Sequence, residues 1–213
     1  MIPDDRLSAY IKSLDTGNTP ILETIEKEAI EGDVPIIRKD MQTFLKTFLA
    51  VKQPKKILEI GTAIGFSAIL MEEYNPCECH IDTIENYDKR IPIAKENFKR
   101  ADKENTITLI EGDALEILPT LDGKYDMIFS DAAKGQYINY LPDIKRLLAQ
   151  NGVLITDNIL QDGDLLESRY AVIRRNRTIH KRMREYVYAL THDEDFRTTL
   201  IPVGDGITVS VLV

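Results

Sequence analysis

Apolar positions change period along this chain, and the change divides it into two stretches. Up to residue 52 they recur at helical spacing: Leu7, Ile11 and Leu14, then Ile21, Leu22, Ile25 and Ala29, then Met41, Phe44, Leu45, Phe48 and Leu49. Gly17-Asn18-Thr19-Pro20 and Gly32-Asp33-Val34-Pro35 interrupt the pattern, so helices are expected from residue 4 to residue 52 with breaks at those two points. This helical N-terminal extension, residues 1–52, has three possible roles: packing on a sheet, covering a ligand cleft, or pairing two subunits. Beyond it, extended and helical segments alternate in the βαβ manner. Strands are expected at 57–60, 79–85, 106–111, 125–130 and 152–156, and helices around 88–101, 114–118 and 137–149. Two last strands, 198–203 and 207–213, flank Gly204-Asp205-Gly206, a hairpin turn signal. With 213 residues and no repeat, low-complexity tract or linker, the expectation is one α/β domain, with residues 53–213 as its core.

The stretch with most chemistry is Lys56-Ile57-Leu58-Glu59-Ile60-Gly61-Thr62-Ala63-Ile64-Gly65-Phe66-Ser67, which predicts strand, tight turn and helix. Gly61 and Gly65 let the backbone turn sharply and approach a ligand closely. Glu59 stands where a dinucleotide fingerprint has its first glycine, and a carboxylate there repels phosphate but suits an ammonium group. The motif therefore favours a ligand with an amino-acid end, such as S-adenosylmethionine, over a pyrophosphate; an ordinary βα turn is the other reading. In open α/β sheets ligands bind beyond the carboxyl ends of the strands, and here four expected strands end in acid. Glu85 is placed to accept hydrogen bonds from ribose hydroxyls. Asp113 either meets an adenine amino group or caps a helix. Asp131 follows one strand and Asp157-Asn158 another; if these strands are neighbours, three oxygen-bearing side chains converge as a site for a hard cation, most naturally Mg²⁺. Helix capping is the alternative for each acid taken singly.

Composition narrows the classes. Hydrophobic residues at 43% and charged residues at 29% suit a water-soluble globular chain, and no apolar run is long enough to span a bilayer. The first ten residues lack the apolar core of a signal peptide, so a cytoplasmic location is expected. Cys77 and Cys79 are too close for an ordinary structural disulfide and too few for a zinc site.

Taken together, the motifs resemble the cation-dependent O-methyltransferases, the family of catechol and caffeoyl-coenzyme A methyltransferases. Glu59 to Ser67, Asp131-Ala132-Ala133-Lys134-Gly135-Gln136-Tyr137, Thr156-Asp157-Asn158 and Gly204-Asp205-Gly206 carry the resemblance, which runs from about Val34 to the C-terminus. It implies a Rossmann-like α/β fold, a seven-stranded mostly parallel sheet with a reversed last strand, and a homodimer. It implies S-adenosylmethionine as methyl donor, with Val34, Glu59, Gly61, Ser67, Glu85, Asp113, Ala114 and Asp131 as cofactor-binding positions. Metal ligands are implied at Asp131, Asp157 and Asn158, and a catalytic lysine at Lys134. Within the family, residues 51–61, 134–137 and 201–206 look most like the bacterial tRNA 5-hydroxyuridine methyltransferases, which act on the wobble uridine. Mammalian catechol enzymes, by the same resemblance, carry a carboxylate where this chain has Pro202, which weighs against catechol specificity; small catechol-like phenols with vicinal hydroxyls are the alternative substrate class.

A net charge of -8 argues against broad nucleic-acid binding, yet one dense basic run stands out at 174–184. On a helix, Ile179, Met183, Tyr186, Val187 and Leu190 share one face, and Arg174, Arg177, Lys181 and Arg184 fall on roughly the opposite one. Such a stripe suits an RNA backbone; ion pairing with Asp162, Asp164 and Glu167 is the bland alternative. His180 is expected to pack rather than catalyse.

Overall fold

The computed structural model describes residues 5–213, so residue 4, where the first helix is expected to begin, lies outside the described residues, as does the side chain of Leu7. The chain separates into two compact units, one ending at Ala114 and the other running from Leu115 to Val213.

The first unit opens with α1 (Asp5–Ser13), α2 (Pro20–Glu31) and α3 (Lys39–Lys52). Pro20 sits in the first turn of α2, where its missing N–H costs nothing, and the Gly32 N–H closes the helix by donating to the Glu28 carbonyl. Gln53 ends α3 in the left-handed conformation, φ 49°, directly before Pro54. Leu22, Ile25 and Ala29 of α2 and Met41, Leu45 and Leu49 of α3 are buried. Ile11 of α1 and Leu14 just after it are not, at 38% and 60% exposed. Next come β1 (Lys56–Ile60), α4 (Phe66–Tyr74), β2 (His80–Glu85), α5 (Ile91–Arg100), β3 (Ile107–Glu111) and the start of α6 (Ala114–Ile117). The three strands are parallel in the order β3-β2-β1. Every residue of α4 from Phe66 to Met71 is buried, the mark of a helix enclosed on all sides.

The second unit contains β4 (Tyr125–Ser130), α7 (Tyr137–Leu147), β5 (Leu148–Thr156), α8 (Arg177–His192), β6 (Phe196–Ile201) and β7 (Ile207–Leu212). Its strand order is β4-β5-β7-β6, with β4 and β5 parallel and β7 antiparallel to both neighbours. The described residues thus supply the seven strands of a mixed α/β sheet with a reversed last strand, as the sequence predicts. The largest difference is β5, expected over 152–156 and found from Leu148. Its first half contains Asn151 at φ 59° and a register shift against β4 between Tyr125 and Met127, so the polar residues there form an irregularity in the ladder. The register that matters for function pairs Ser130 with Thr156. The residues that follow, Asp131 and Asp157, leave the sheet side by side.

Candidate active site

In the first unit the end of β1 is fixed by buried polar contacts. Glu59 is fully buried, and its carboxylate accepts from Thr62 Oγ1 at 2.7 Å, Ser67 Oγ at 2.5 Å and Thr83 Oγ1 at 2.5 Å. An ionised carboxylate survives such burial only when its lone pairs are taken by donors. Three hydroxyls from the turn, α4 and β2 do this, so both oxygens of Glu59 are already engaged in holding the turn. Gly61 and Gly65 sit at φ 95° and 85°, and Ala63 between them at φ 47°. A Cβ at Gly65 would lie 2.6 Å from the Phe98 ring, so the turn has no room for a side chain there. Glu85 closes β2 and accepts three backbone N–H groups: Ala63 at 2.7 Å on one oxygen, Asn86 and Tyr87 at 3.0 and 2.9 Å on the other. The acid expected at the ribose therefore also ties the glycine turn to the second strand. Ser67 is buried at the start of α4, Ala114 is buried at the start of α6, and Asp113 is exposed just ahead of it. Val34 lies in the connection between α2 and α3, its N–H bonded to the Ala29 carbonyl at 2.8 Å.

In the second unit Asp131, Asp157 and Asn158 come together beyond β4 and β5. Asn158 Nδ2 donates to Asp131 Oδ1 at 2.9 Å, and the Asn158 N–H donates to Asp157 Oδ1 at 2.6 Å. Asp157 is 4% exposed; burial first, then the neighbouring charge of Asp131, pushes its carboxyl up to about 7. Burial also raises Asp131, partly offset by the Asn158 hydrogen bond. Two carboxylates and an amide make an all-oxygen donor set, and the mutual repulsion of the acids is what a hard cation would relieve. No group of three His, Cys, Asp or Glu side chains placed to hold a metal ion occurs among the described residues, so a cation here would take its third protein oxygen from the Asn158 amide.

Lys134 stands over the same acids, with Nζ 3.4 Å from Asp205 Oδ2. Asp205, 7% exposed in the β6–β7 turn, uses Oδ1 to accept the Asp162 N–H at 2.7 Å. It therefore joins the lysine to the loop after β5, a connection the sequence does not reveal beyond an acid set between two glycines. Two tyrosines support the acids from beneath. Tyr137 Oη donates to the carbonyls of Ala132 and Asp157 at 3.3 Å each, its ring lies 5.5 Å from that of Tyr186, and Tyr186 Oη bonds Thr156 Oγ1 at 2.6 Å. Burial raises both phenols, so they stay neutral hydrogen-bonding groups.

The basic run differs from its expected form. Arg174 belongs to a short 3₁₀ turn ahead of α8 and not to the helix. Arg177 is half-buried and donates to the carbonyls of Val172 at 3.0 Å and Tyr170 at 3.3 Å, so its guanidinium ties down the preceding loop. Lys181 and Arg184 are exposed; Lys181 lies 3.6 Å from Glu185 and Arg184 donates to the Glu167 carbonyl at 3.4 Å. The inward face of α8 is His180, Met183, Tyr186 and Leu190, with Ile179 36% exposed instead. His180 is packed inside, its Nε2 3.2 Å from the Glu167 carbonyl.

Residues 12–212 match the family profile described as O-methyltransferase. The chain belongs to the O-methyltransferase family. Among its relatives, the caffeoyl-CoA O-methyltransferase of Medicago sativa is 31% identical over 98% of this chain and 89% of its own length. The catechol O-methyltransferase of Mycobacterium tuberculosis is 29% identical over 75% of this chain and 74% of its own. A Podospora anserina methyltransferase solved with S-adenosylhomocysteine superposes with TM-score 0.85 at 28% identity, over 98% of this chain and 94% of that one. The chain is thus an S-adenosylmethionine-dependent O-methyltransferase.

Proposed function

We propose that this O-methyltransferase is metal-dependent and methylates the 5-hydroxyl of 5-hydroxyuridine at the wobble position of tRNA, giving 5-methoxyuridine. The observation that carries the chemistry is the juxtaposition of Asp131, Asp157 and Asn158 with Lys134, which Asp205 holds at 3.4 Å. In this reading the glycine turn of the first unit and Glu85 bind S-adenosylmethionine, with Val34, Glu59, Gly61, Ser67, Asp113 and Ala114 shaping that site. Bound at the two acids and the amide, a divalent cation such as Mg²⁺ would stabilise the anion of the substrate hydroxyl. Lys134 accepts or relays the hydroxyl proton, and Asp205 fixes its position. The methyl group then passes to the oxygen as the S–CH₃ bond breaks, leaving S-adenosylhomocysteine and one proton. A substrate with two adjacent oxygens suits the site, and 5-hydroxyuridine offers its 5-hydroxyl and O4.

The exposed cations around the start of α8, Arg174, Lys181 and Arg184, support an RNA substrate. The names of the relatives favour a second reading, a small phenol of the catechol or caffeoyl type. A homodimer belongs to the proposal, supported by the exposed Tyr10 and Ile11 of α1 and Leu14 just after it. Among the described residues no helix is long and apolar enough to cross a membrane, and an enzyme acting on tRNA belongs in the cytoplasm.

Asp157→Ala tests the metal centre. It should abolish methyl transfer while S-adenosylmethionine still binds, because the donor is held by the other unit's turn. Turnover within about threefold of the parent, with no response to chelator, would contradict the proposal.

A further inference from the structure

The loop after β5 carries a polar group that the chemistry described so far does not use. Asn158, Gln161, Asp162 and Gly163 all have left-handed backbones, with φ 59°, 53°, 53° and 94°. Three of these are not glycine, and such a run persists only where the surroundings enforce it. Here the enforcement comes from the β6–β7 turn: the Ile159 N–H donates to the Gly206 carbonyl at 3.0 Å, Leu160 to the Asp205 carbonyl at 2.9 Å, and Asp162 to Asp205 Oδ1 at 2.7 Å. Gly206 is required, since a Cβ there would lie 2.3 Å from Leu160 Cγ. The outcome of this strained turn is the placement of Gln161. Its side chain lines a cavity of about 330 Å³ together with Lys134, Asp162, Asp164, Asn176 and Ile179. Asn176 Nδ2 already donates to Asp164 Oδ2 at 3.0 Å, and Lys134 is held by Asp205. Gln161 Oε1 is buried and has no hydrogen-bond partner among the described residues.

A buried acceptor without a donor is costly, and Oε1, which has no surface open to the cavity in this conformation, gains a donor if the side chain turns toward a substrate beside Lys134. The cavity has room for one substituted ring, since about 150 Å³ suffices for benzene. We propose that Gln161 is a specificity-determining residue whose side chain turns into the cavity when substrate binds, its Oε1 accepting a ring N–H, that of N3 in a 5-hydroxypyrimidine. This deepens the function proposed above and rests on it. With the 5-hydroxyl and O4 directed to the acids, a 5-hydroxypyrimidine still has one donor, N3–H, next to O4 on the ring. A catechol directing both oxygens to the same acids presents only C–H at its remaining edge and leaves Oε1 unpaired.

The test uses the full-length protein with S-adenosylmethionine and two nucleosides as methyl acceptors, 5-hydroxyuridine and its N3-methyl analogue, with catechol as a third acceptor. Nucleosides separate ring recognition from any grip on an RNA backbone. The native protein should lose about 10- to 100-fold in kcat/KM on the N3-methyl analogue, the effect of one unmet hydrogen bond at a buried acceptor. In Gln161→Leu that discrimination should fall to within about threefold, with 5-hydroxyuridine activity reduced by the same 10- to 100-fold and catechol activity unchanged or higher. S-adenosylmethionine affinity, measured by calorimetry, should match the native value and so report an intact fold. Equal treatment of the two nucleosides by the native protein would overturn the role of Gln161, as would discrimination that survives in Gln161→Leu. Methylation of catechol but of neither nucleoside would instead overturn the pyrimidine reading itself, and the assignment of Gln161 with it.

Discussion

At the scale of single residues, the molecule shows the same acid type doing two kinds of work. Glu59 is buried with three hydroxyl donors, whereas Asp157 is buried beside another acid and has its carboxyl raised to about 7. The first arrangement is satisfied within the protein and the second is not, which is why Glu59 reads as framework and Asp157 as a site. Thr83→Val should therefore destabilise the fold by about 1.5–3 kcal/mol, the worth of a hydrogen bond to a charged group, in denaturant unfolding. A cost below about 0.5 kcal/mol would mean that the Thr83 hydroxyl does not hold Glu59. Asp205→Asn keeps an acceptor for the Asp162 N–H but replaces the charge facing Lys134. It should lower kcat on the order of tenfold with S-adenosylmethionine affinity unchanged, the effect of losing one charge-assisted contact. Asp131, Asp157, Asn158 and Glu85 could be singled out in the sequence because polar residues closing several apolar strands fall at the same end of a sheet, although helix capping accounts for any one of the acids alone. Asp205 and Gln161 were not legible as site residues. Their roles depend on a contact between the β6–β7 turn and the loop after β5, more than forty positions apart, that no local pattern encodes.

At the scale of elements, legibility followed burial. Strand β4 is buried along Met127–Ser130 and β1 along Ile57–Ile60, so each reads as an apolar run, broken in β1 only by the buried Glu59 and closed in β4 by Ser130. The first half of β5 includes Gln150 and Asn151, and an irregular, exposed ladder has no such signature. Helix α8 was legible from its buried stripe, but its boundary was not: periodicity continues through Arg174, while the chain forms a 3₁₀ turn there. This changes what charge reversal should do. Reversing Arg174, Lys181 and Arg184 together should raise KM for tRNA steeply and flatten its salt dependence, each lost phosphate contact removing somewhat under one unit of the log–log slope. Activity on a small phenol should stay the same. Arg177→Glu should behave differently, lowering the melting temperature because its guanidinium holds the loop carbonyls of Tyr170 and Val172. If the triple variant methylates tRNA like the parent, α8 is not the RNA-binding element.

At the scale of the whole molecule, the seven strands place two chemistries at strand ends, a glycine turn braced by Glu59 and Glu85 in one unit and an oxygen cluster with its lysine in the other. The proposed reaction uses both, since a sulfonium methyl is already electrophilic and the remaining task is to generate and aim an oxygen nucleophile. The measurement that tests this most directly is transfer of a labelled methyl group from S-adenosylmethionine to tRNA containing 5-hydroxyuridine, run beside a panel of catechols, with Mg²⁺ and with excess EDTA. The account predicts label in 5-methoxyuridine that depends on Mg²⁺ and disappears with EDTA, at a kcat/KM above that for any catechol. Labelled catechol without labelled tRNA, or transfer indifferent to EDTA, would contradict it.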